Sequence, residues 1–226
     1  MSLKKGLLIR KFGAAFFASA TVLQFSACAI GDDDLCVDCI YLNGDTVQFD
    51  AYYIASSFDT TFYSVELISS PSRFLAQRKL NYIVTGYNER NRSTKKLISE
   101  STTGFFEDTT RIWLHPPRVD KFERITQLAP YPEVNLPLRI GDTIRGKITM
   151  AFNWGEWNGH SSRYYLAVVD SMARANSNET VYVLNGCGKI LNDSSCVEYL
   201  FSTTRGFIKA SYAYGGKEFF YMEMRP

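Results

Sequence analysis

Short stretches of alternating apolar and polar residues recur along this chain, each bounded by a turn signal. No stretch sustains the 3.6-residue period of a capped amphipathic helix. "DTVQFDAYYI" (45–54), "TTFYSVELI" (60–68), "LNYIVTGY" (80–87), "TKKLISES" (94–101) and "TRIWLHPP" (110–117) supply the first half. "DTIRGKITMAF" (142–152), "SRYYLAVVDSM" (162–172), "ETVYVLNG" (179–186), "CVEYLFSTT" (196–204), "GFIKASYAY" (206–214) and "KEFFYMEM" (217–224) supply the second. Gly215-Gly216 joins the last two and can take the positive φ values of a two-residue hairpin turn. In the first of that pair, Ile208, Ala210, Tyr212 and Tyr214 are expected on one face, with Phe207, Lys209, Ser211 and Ala213 on the other. Fourteen Tyr and sixteen Phe suit half-buried pleated faces. The pattern predicts an all-β chain: an antiparallel sheet system, either a sandwich or an open or closed barrel.

Two stretches break the rhythm. Five of the seven prolines fall between Pro116 and Pro137, where fixed φ values and missing donors predict extended coil. This reads as a long connection within one sheet system. "SSPSRFLAQRKL" (69–80) is the best candidate for a short helical turn, with Ser72 as its N-cap.

The N-terminus has a different composition. Lys4, Lys5, Arg10 and Lys11 precede a short apolar run, and small residues follow it, which is the layout of a secretory signal. The run is too short for a comfortable helical span of roughly 20 residues. Phe25-Ser26-Ala27-Cys28 resembles the lipobox of bacterial lipoproteins, although Phe25 stands where Leu is usual. The resemblance implies that residues 1–27 are removed and that Cys28 is lipidated. One acyl chain holds a protein only marginally, at about 0.8 kcal/mol per buried methylene, whereas several chains anchor it stably. Asp32, Asp33 and Asp34 resemble the acidic export tag of some Bacteroidetes lipoproteins; the plain alternative is a solvated tether. In "TVYVLNGCGKIL…CVEYLFSTTRGFIKASYAYGGKEFFYMEM", Arg205-Gly206-Phe207-Ile208-Lys209 resembles the ending of uncharacterised Bacteroidetes lipoproteins, as do "WLHPPRVDKF" and "LPLRIGDTI". That resemblance implies a β-rich outer-membrane lipoprotein, periplasmic or surface-facing, and brings no catalytic residues. The expected organisation is signal (1–27), lipidated tether (28–44) and one β-rich domain (45–226).

Four cysteines remain once Cys28 is set aside. Cys187 and Cys196 flank a turn-like "NDSS" run and are expected to pair across a hairpin, in keeping with an oxidising compartment. Cys36 and Cys39 form "CVDC", for which several readings stand: a local disulfide, bridges crossed to Cys187 or Cys196, half of a zinc site, or a redox pair. A zinc site lacks two further ligands. A redox pair lacks the helix that should follow, because "IYLNGDTVQF" reads as turn and strand.

Removing the four signal cations leaves 21 Lys and Arg against 23 acids, and no basic patch interleaves with aromatics, so no nucleic-acid partner is expected. No nucleophile elbow, zincin helix or phosphate loop occurs. No cofactor and no metal site are expected. His115, before Pro116, reads as a strand-end histidine. "NWGEWNGHSS" (153–162) gathers Trp154, Glu156, Trp157 and His160, which could stack on and orient a flat ligand. The competing reading is a hairpin tip turning at Asn158-Gly159 with packed Trp rings. The functional expectation is a membrane-anchored binding or structural module, taking a glycan, a hydrophobic molecule or an envelope protein. A surface hydrolase with two acids and a CxxC redox protein are the alternatives. Replacing the anchor tests the N-terminal reading: wild type should partition into detergent and Cys28→Ser into the aqueous phase, read by phase separation of cell extracts.

Overall fold

The structure is a computed structural model that describes residues 39–42, 44–57, 59–88, 91–173 and 179–226. Twelve strands form a single antiparallel sheet: β1 (Thr46–Ile54), β2 (Thr60–Phe74), β3 (Gln77–Asn88), β4 (Asn91–Glu107), β5 (Arg111–Leu114), β6 (Glu133–Asn135), β7 (Thr143–Thr149), β8 (Ser161–Ala173), β9 (Thr180–Ile190), β10 (Asp193–Ser202), β11 (Gly206–Tyr214) and β12 (Glu218–Met224). The spatial order is β6-β5-β4-β3-β2-β1-β12-β11-β10-β9-β8-β7, so two six-strand meanders meet where the first strand pairs with the last. The all-β antiparallel expectation holds.

That order forces curvature. Strands β6 and β7 are the two outer edges, and only residues 136–142 connect them. Laid flat, twelve strands would separate the edges by roughly 50 Å. The connection spans about 28 Å at full stretch. The sheet therefore curls into a half-barrel, and β6 and β7 face each other across an open seam.

The proline-rich segment fills the space this creates. Residues 115–132 leave β5, enter the concave side and return to β6, carrying a 3-10 turn (Asp120–Phe122) and the helix α1 (Glu123–Leu128). Phe122, Ile125, Leu128 and Ala129 are almost fully buried. The Phe122 ring stacks on Phe220 of β12 at 3.9 Å and meets Tyr63 of β2 edge-on at 5.4 Å. The segment's polar groups are met by the wall: Ser195 Oγ donates to the Ile125 carbonyl, Tyr199 OH to Pro130 and Tyr82 OH to His115. Where extended coil was expected, the structure has an internal plug with a helix. Ile125, Thr126, Gln127 and Leu128 are buried in succession and only Glu123 and Arg124 are exposed, so this short helix leaves no amphipathic period in the sequence.

Other departures have local causes. Residues 69–80 form the β2–β3 hairpin, not a helical turn, because the cross-strand register from Phe62↔Tyr87 to Phe74↔Gln77 captures them. Between β10 and β11 the register slips from Leu200↔Lys209 to Phe201↔Phe207, which buries Phe207 on the same side as Ala210 and Tyr212 and not on the opposite face the alternation predicts. Packing also starts before the expected boundary at 45. Glu107 accepts the backbone N–H groups of Ile40, Tyr41 and Leu42 at 2.7, 2.8 and 3.0 Å. Tyr41 is buried, and its hydroxyl accepts the Phe207 N–H. Gly206, at φ +76°, leaves the space its ring occupies, since a Cβ there would lie 2.2 Å from the Tyr41 oxygen.

The fit between plug and wall is testable by denaturant titration. Phe122→Ala should lower stability by about 3–5 kcal/mol. Gly188→Ala, whose Cβ would lie 1.8 Å from the Leu128 carbonyl oxygen, should cost about 1–3 kcal/mol by displacing the plug.

Candidate functional site

The lumen comes first, because a barrel's interior is a usual ligand site. Here the plug and a set of buried tyrosines occupy it. The Tyr199 and Tyr212 hydroxyls lie 3.1 Å apart, and burial raises both of their pKa values, with that of Tyr82, well above the usual tyrosine value. They stay neutral hydroxyls: Tyr199 and Tyr82 donate to the chain's own carbonyls, and Tyr212 meets Tyr199. The recess left among Tyr41, Tyr82, Tyr199 and Tyr212 is about 20 Å³, room for one water.

The Trp loop follows. Asn158-Gly159 is not a two-residue hairpin turn: the β7–β8 connection runs from Met150 to His160, closed by Met150 N–H to the His160 carbonyl and Gly159 N–H to the Met150 carbonyl. Trp157 is fully buried in a small cluster with Leu128, Met150 and Ile190. Its indole N–H donates to Asp193 at 2.7 Å, and the Arg124 guanidinium lies 4.2 Å from its ring centroid. Trp154 is half-buried and stacks on Trp157 at 6.1 Å; Glu156 pairs with Arg124 at 3.0 Å; His160 is exposed. The loop thus closes one end of the barrel over α1. Trp157 offers no face to a ligand, and Glu156 is engaged by Arg124.

The cysteines divide. Cys187 and Cys196 stand directly opposite each other on β9 and β10 and are disulfide-bonded. Cys39 is buried and also disulfide-bonded; Cys28 and Cys36 lie outside the described residues. No helix follows Cys39, since the chain runs through Tyr41 into β1.

One polar cluster went unread in the sequence. At the seam, His115 leaves β5 beside Arg118 and Tyr131 of the plug, with Trp113 edge-on at 5.4 Å. Arg118 donates to His115 Nε2 and, at 2.7 Å, to the Tyr131 hydroxyl. Burial, and then the Arg118 charge, push the His115 pKa down to about 3. The ring accepts as a neutral base, fixed by structure and not poised to transfer a proton near pH 7. Only its place before Pro116 was visible beforehand; Arg118 and Tyr131 reach it through the fold of the plug.

Two larger recesses remain, one at the seam and one on the outer face. The first, about 270 Å³, opens at the seam between Glu133, Asp142 and Thr143 over Val134, Ile144 and Leu166. It holds two carboxylates, but each has a partner. Glu133 is ion-paired with Arg111, and burial raises its pKa while Arg111 opposes that; Asp142 accepts the Arg139 N–H at 2.9 Å. Tyr164 lies over Gly146, where a Cβ would meet its ring at 2.3 Å. The second recess, about 290 Å³, lies on the outer face of β8 and β9 between Arg163, Tyr165, Lys189 and Leu191. Also on the outer face, Tyr221, Tyr52, Phe62 and Tyr87 run in register across β12, β1, β2 and β3. Tyr52 stacks on Tyr221 at 4.9 Å and Phe62 on Tyr87 at 6.1 Å, so the ring faces are turned to each other, as in cross-strand packing. Among the described residues no group of three or more His, Cys, Asp or Glu could hold a metal ion.

No family model and no curated protein matches the chain. Among solved structures, a Bacteroides fragilis protein with a YmcC-like fold is similar over 80% of this chain and 93% of its own, at 9% identity and a TM-score of 0.40.

The His115 geometry predicts an acid-side instability. An unfolded histidine titrates near 6.5 and the folded one at about 3, so the fold favours the neutral ring. The associated stability is complete above pH 6.5 and is lost as pH falls towards 3. His115→Gln, which keeps an acceptor for Arg118, should show a shallower loss over that window in denaturant midpoints measured at stepped pH. Equal slopes would mean that His115 does not contribute.

Proposed function

We propose that this chain is a lipid-anchored, extracytoplasmic module of a Gram-negative outer membrane, and that it binds its partner on the outside of a filled barrel. The observation that carries the binding mode is the plug. The recess among the buried tyrosines, about 20 Å³, is too small for a hydrophobic cargo, while larger recesses of about 270 and 290 Å³ open at the β6–β7 seam and on the outer face of β8 and β9. A scaffold locked from inside holds wall residues at fixed spacing, which favours recognition of an extended glycan or an envelope protein.

Three features support the compartment. The signal-like N-terminus ends in Phe25-Ser26-Ala27-Cys28. The Cys187–Cys196 disulfide suits an oxidising environment. Glu107 ties Ile40–Leu42 into one end of the barrel. Ten residues lie between Cys28 and Cys39, and at full stretch the connection spans about 40 Å. A lipid on Cys28 would therefore keep that end of the barrel close to the bilayer.

The test is the state of the protein in intact cells of its own host. Acid-trapped extracts treated with a thiol-specific mass tag should leave Cys187 and Cys196 unmodified, and the protein should fractionate with outer membranes. Tagging of both cysteines together with recovery from the cytosol would overturn the reading. Digestion of intact cells with added protease then separates surface from periplasmic orientation.

A further inference from the structure

The outer faces of β7, β8 and β9 carry a line of cations. The register sets Lys147 opposite Arg163, and Arg163 opposite Lys189, so three positive side chains lie side by side on three adjacent strands. One step along, Arg145 lies opposite Tyr165, which lies opposite Cys187. All four cations are exposed, and none takes part in an ion pair among the described residues. Further along the same face, Glu198 lies opposite Asn185 and leans to Lys209 on the far side at 4.0 Å. Like charges directly opposite in a sheet repel and destabilise it, and this sheet places two such contacts in a row.

Edge protection does not account for the row. Strand β7 is an open edge, and charges there commonly block edge-to-edge pairing. That covers Arg145 and Lys147. Arg163 and Lys189 sit on β8 and β9, which are paired on both sides. Arg163 and Lys189 line the recess of about 290 Å³, with Tyr165, 46% exposed, and Leu191 also in its lining. A recess of that volume matches the lower end of small-ligand sites. Cations spaced by one strand separation, about 4.8 Å, alongside an exposed aromatic ring, suit a chain with regularly spaced anionic groups and flat apolar ring faces.

We infer that Lys147, Arg163 and Lys189, with Arg145 and Tyr165, form a binding site for an acidic saccharide chain, one bearing carboxylates along its length. This rests on the outer-wall binding reading above and names its ligand class. The carboxylates neutralise the cation row, the Tyr165 ring takes a sugar face, and the disulfide between Cys187 and Cys196 fixes the β9–β10 floor beside it. A bilayer surface fits less well, because Arg163 and Lys189 line a recess and not a projecting apolar tip.

The test uses full-length protein in detergent and three probes: polygalacturonate, neutral dextran and vesicles containing anionic phospholipid. Polygalacturonate should bind, with affinity falling as salt rises, and dextran and vesicles should not. Lys147→Gln/Arg163→Gln/Lys189→Gln should weaken polygalacturonate binding by about tenfold or more, while its denaturant midpoint equals or exceeds that of wild type because the repulsion is gone. Arg73→Gln/Lys96→Gln/Lys217→Gln, which removes the same charge elsewhere, should bind as wild type. Unchanged binding in the first triple variant, an equal loss in the second, or vesicle binding through the same row would each overturn the inference. Binding of dextran without polygalacturonate would overturn the acidic ligand and leave the binding-module reading standing. That reading fails separately, on the cysteine-tagging result.

Discussion

The packing of Phe122 against Phe220 and Tyr63 is the contact on which the rest of the architecture depends. A half-barrel without a filling has an apolar concave face and an open seam, and neither is stable in water. The plug supplies the missing second layer. It buries apolar side chains against both meanders at once, because Tyr63 belongs to the first six strands and Phe220 to the last six. It also brings backbone carbonyls into a dry interior. Tyr82, Tyr199 and Ser195 donate to those carbonyls, so the cost of burying them is offset by the wall.

The same arrangement explains where chemistry is absent from the interior and what is left outside. Titratable groups near the plug are held in one protonation state: the tyrosines as neutral hydroxyls, and His115 as a neutral acceptor for Arg118. Carboxylates at the rim are structural ties. Glu107 holds the incoming chain, and Glu133 holds Arg111. The unpaired charge of the second meander is displaced to the outer face, where the register aligns it.

Much of the sheet could be read from the residues, because period-2 alternation and turn chemistry are local signals. Val47 and Phe49 share the buried face of β1, and Cys187 pairs with Cys196 across a two-residue turn. The plug could not be read. Its helix is six residues long with four consecutive residues buried, too short to show a period, and its prolines look like those of a surface loop. The cation row was hidden for a different reason. "TIRGKIT" shows Arg145 and Lys147 two residues apart, but only inter-strand register sets Arg163 and Lys189 in line with Lys147. The Trp loop misled in the opposite sense. Asn158-Gly159 has the composition of a tight turn, yet Trp157 finds more burial by folding onto α1 than a hairpin tip would allow.

The pairing of β1 with β12 has a consequence for how the chain reaches its native state. The central seam of the sheet is made by its first and last strands, residues separated by most of the sequence, and such non-local pairing is slow to form. The plug cannot settle either until β9 to β12 exist to receive it. A nascent chain of this topology therefore has no complete core until its final residues have emerged. That delay is an advantage for a polypeptide that must be threaded through a membrane channel in extended form, since premature folding would block its passage.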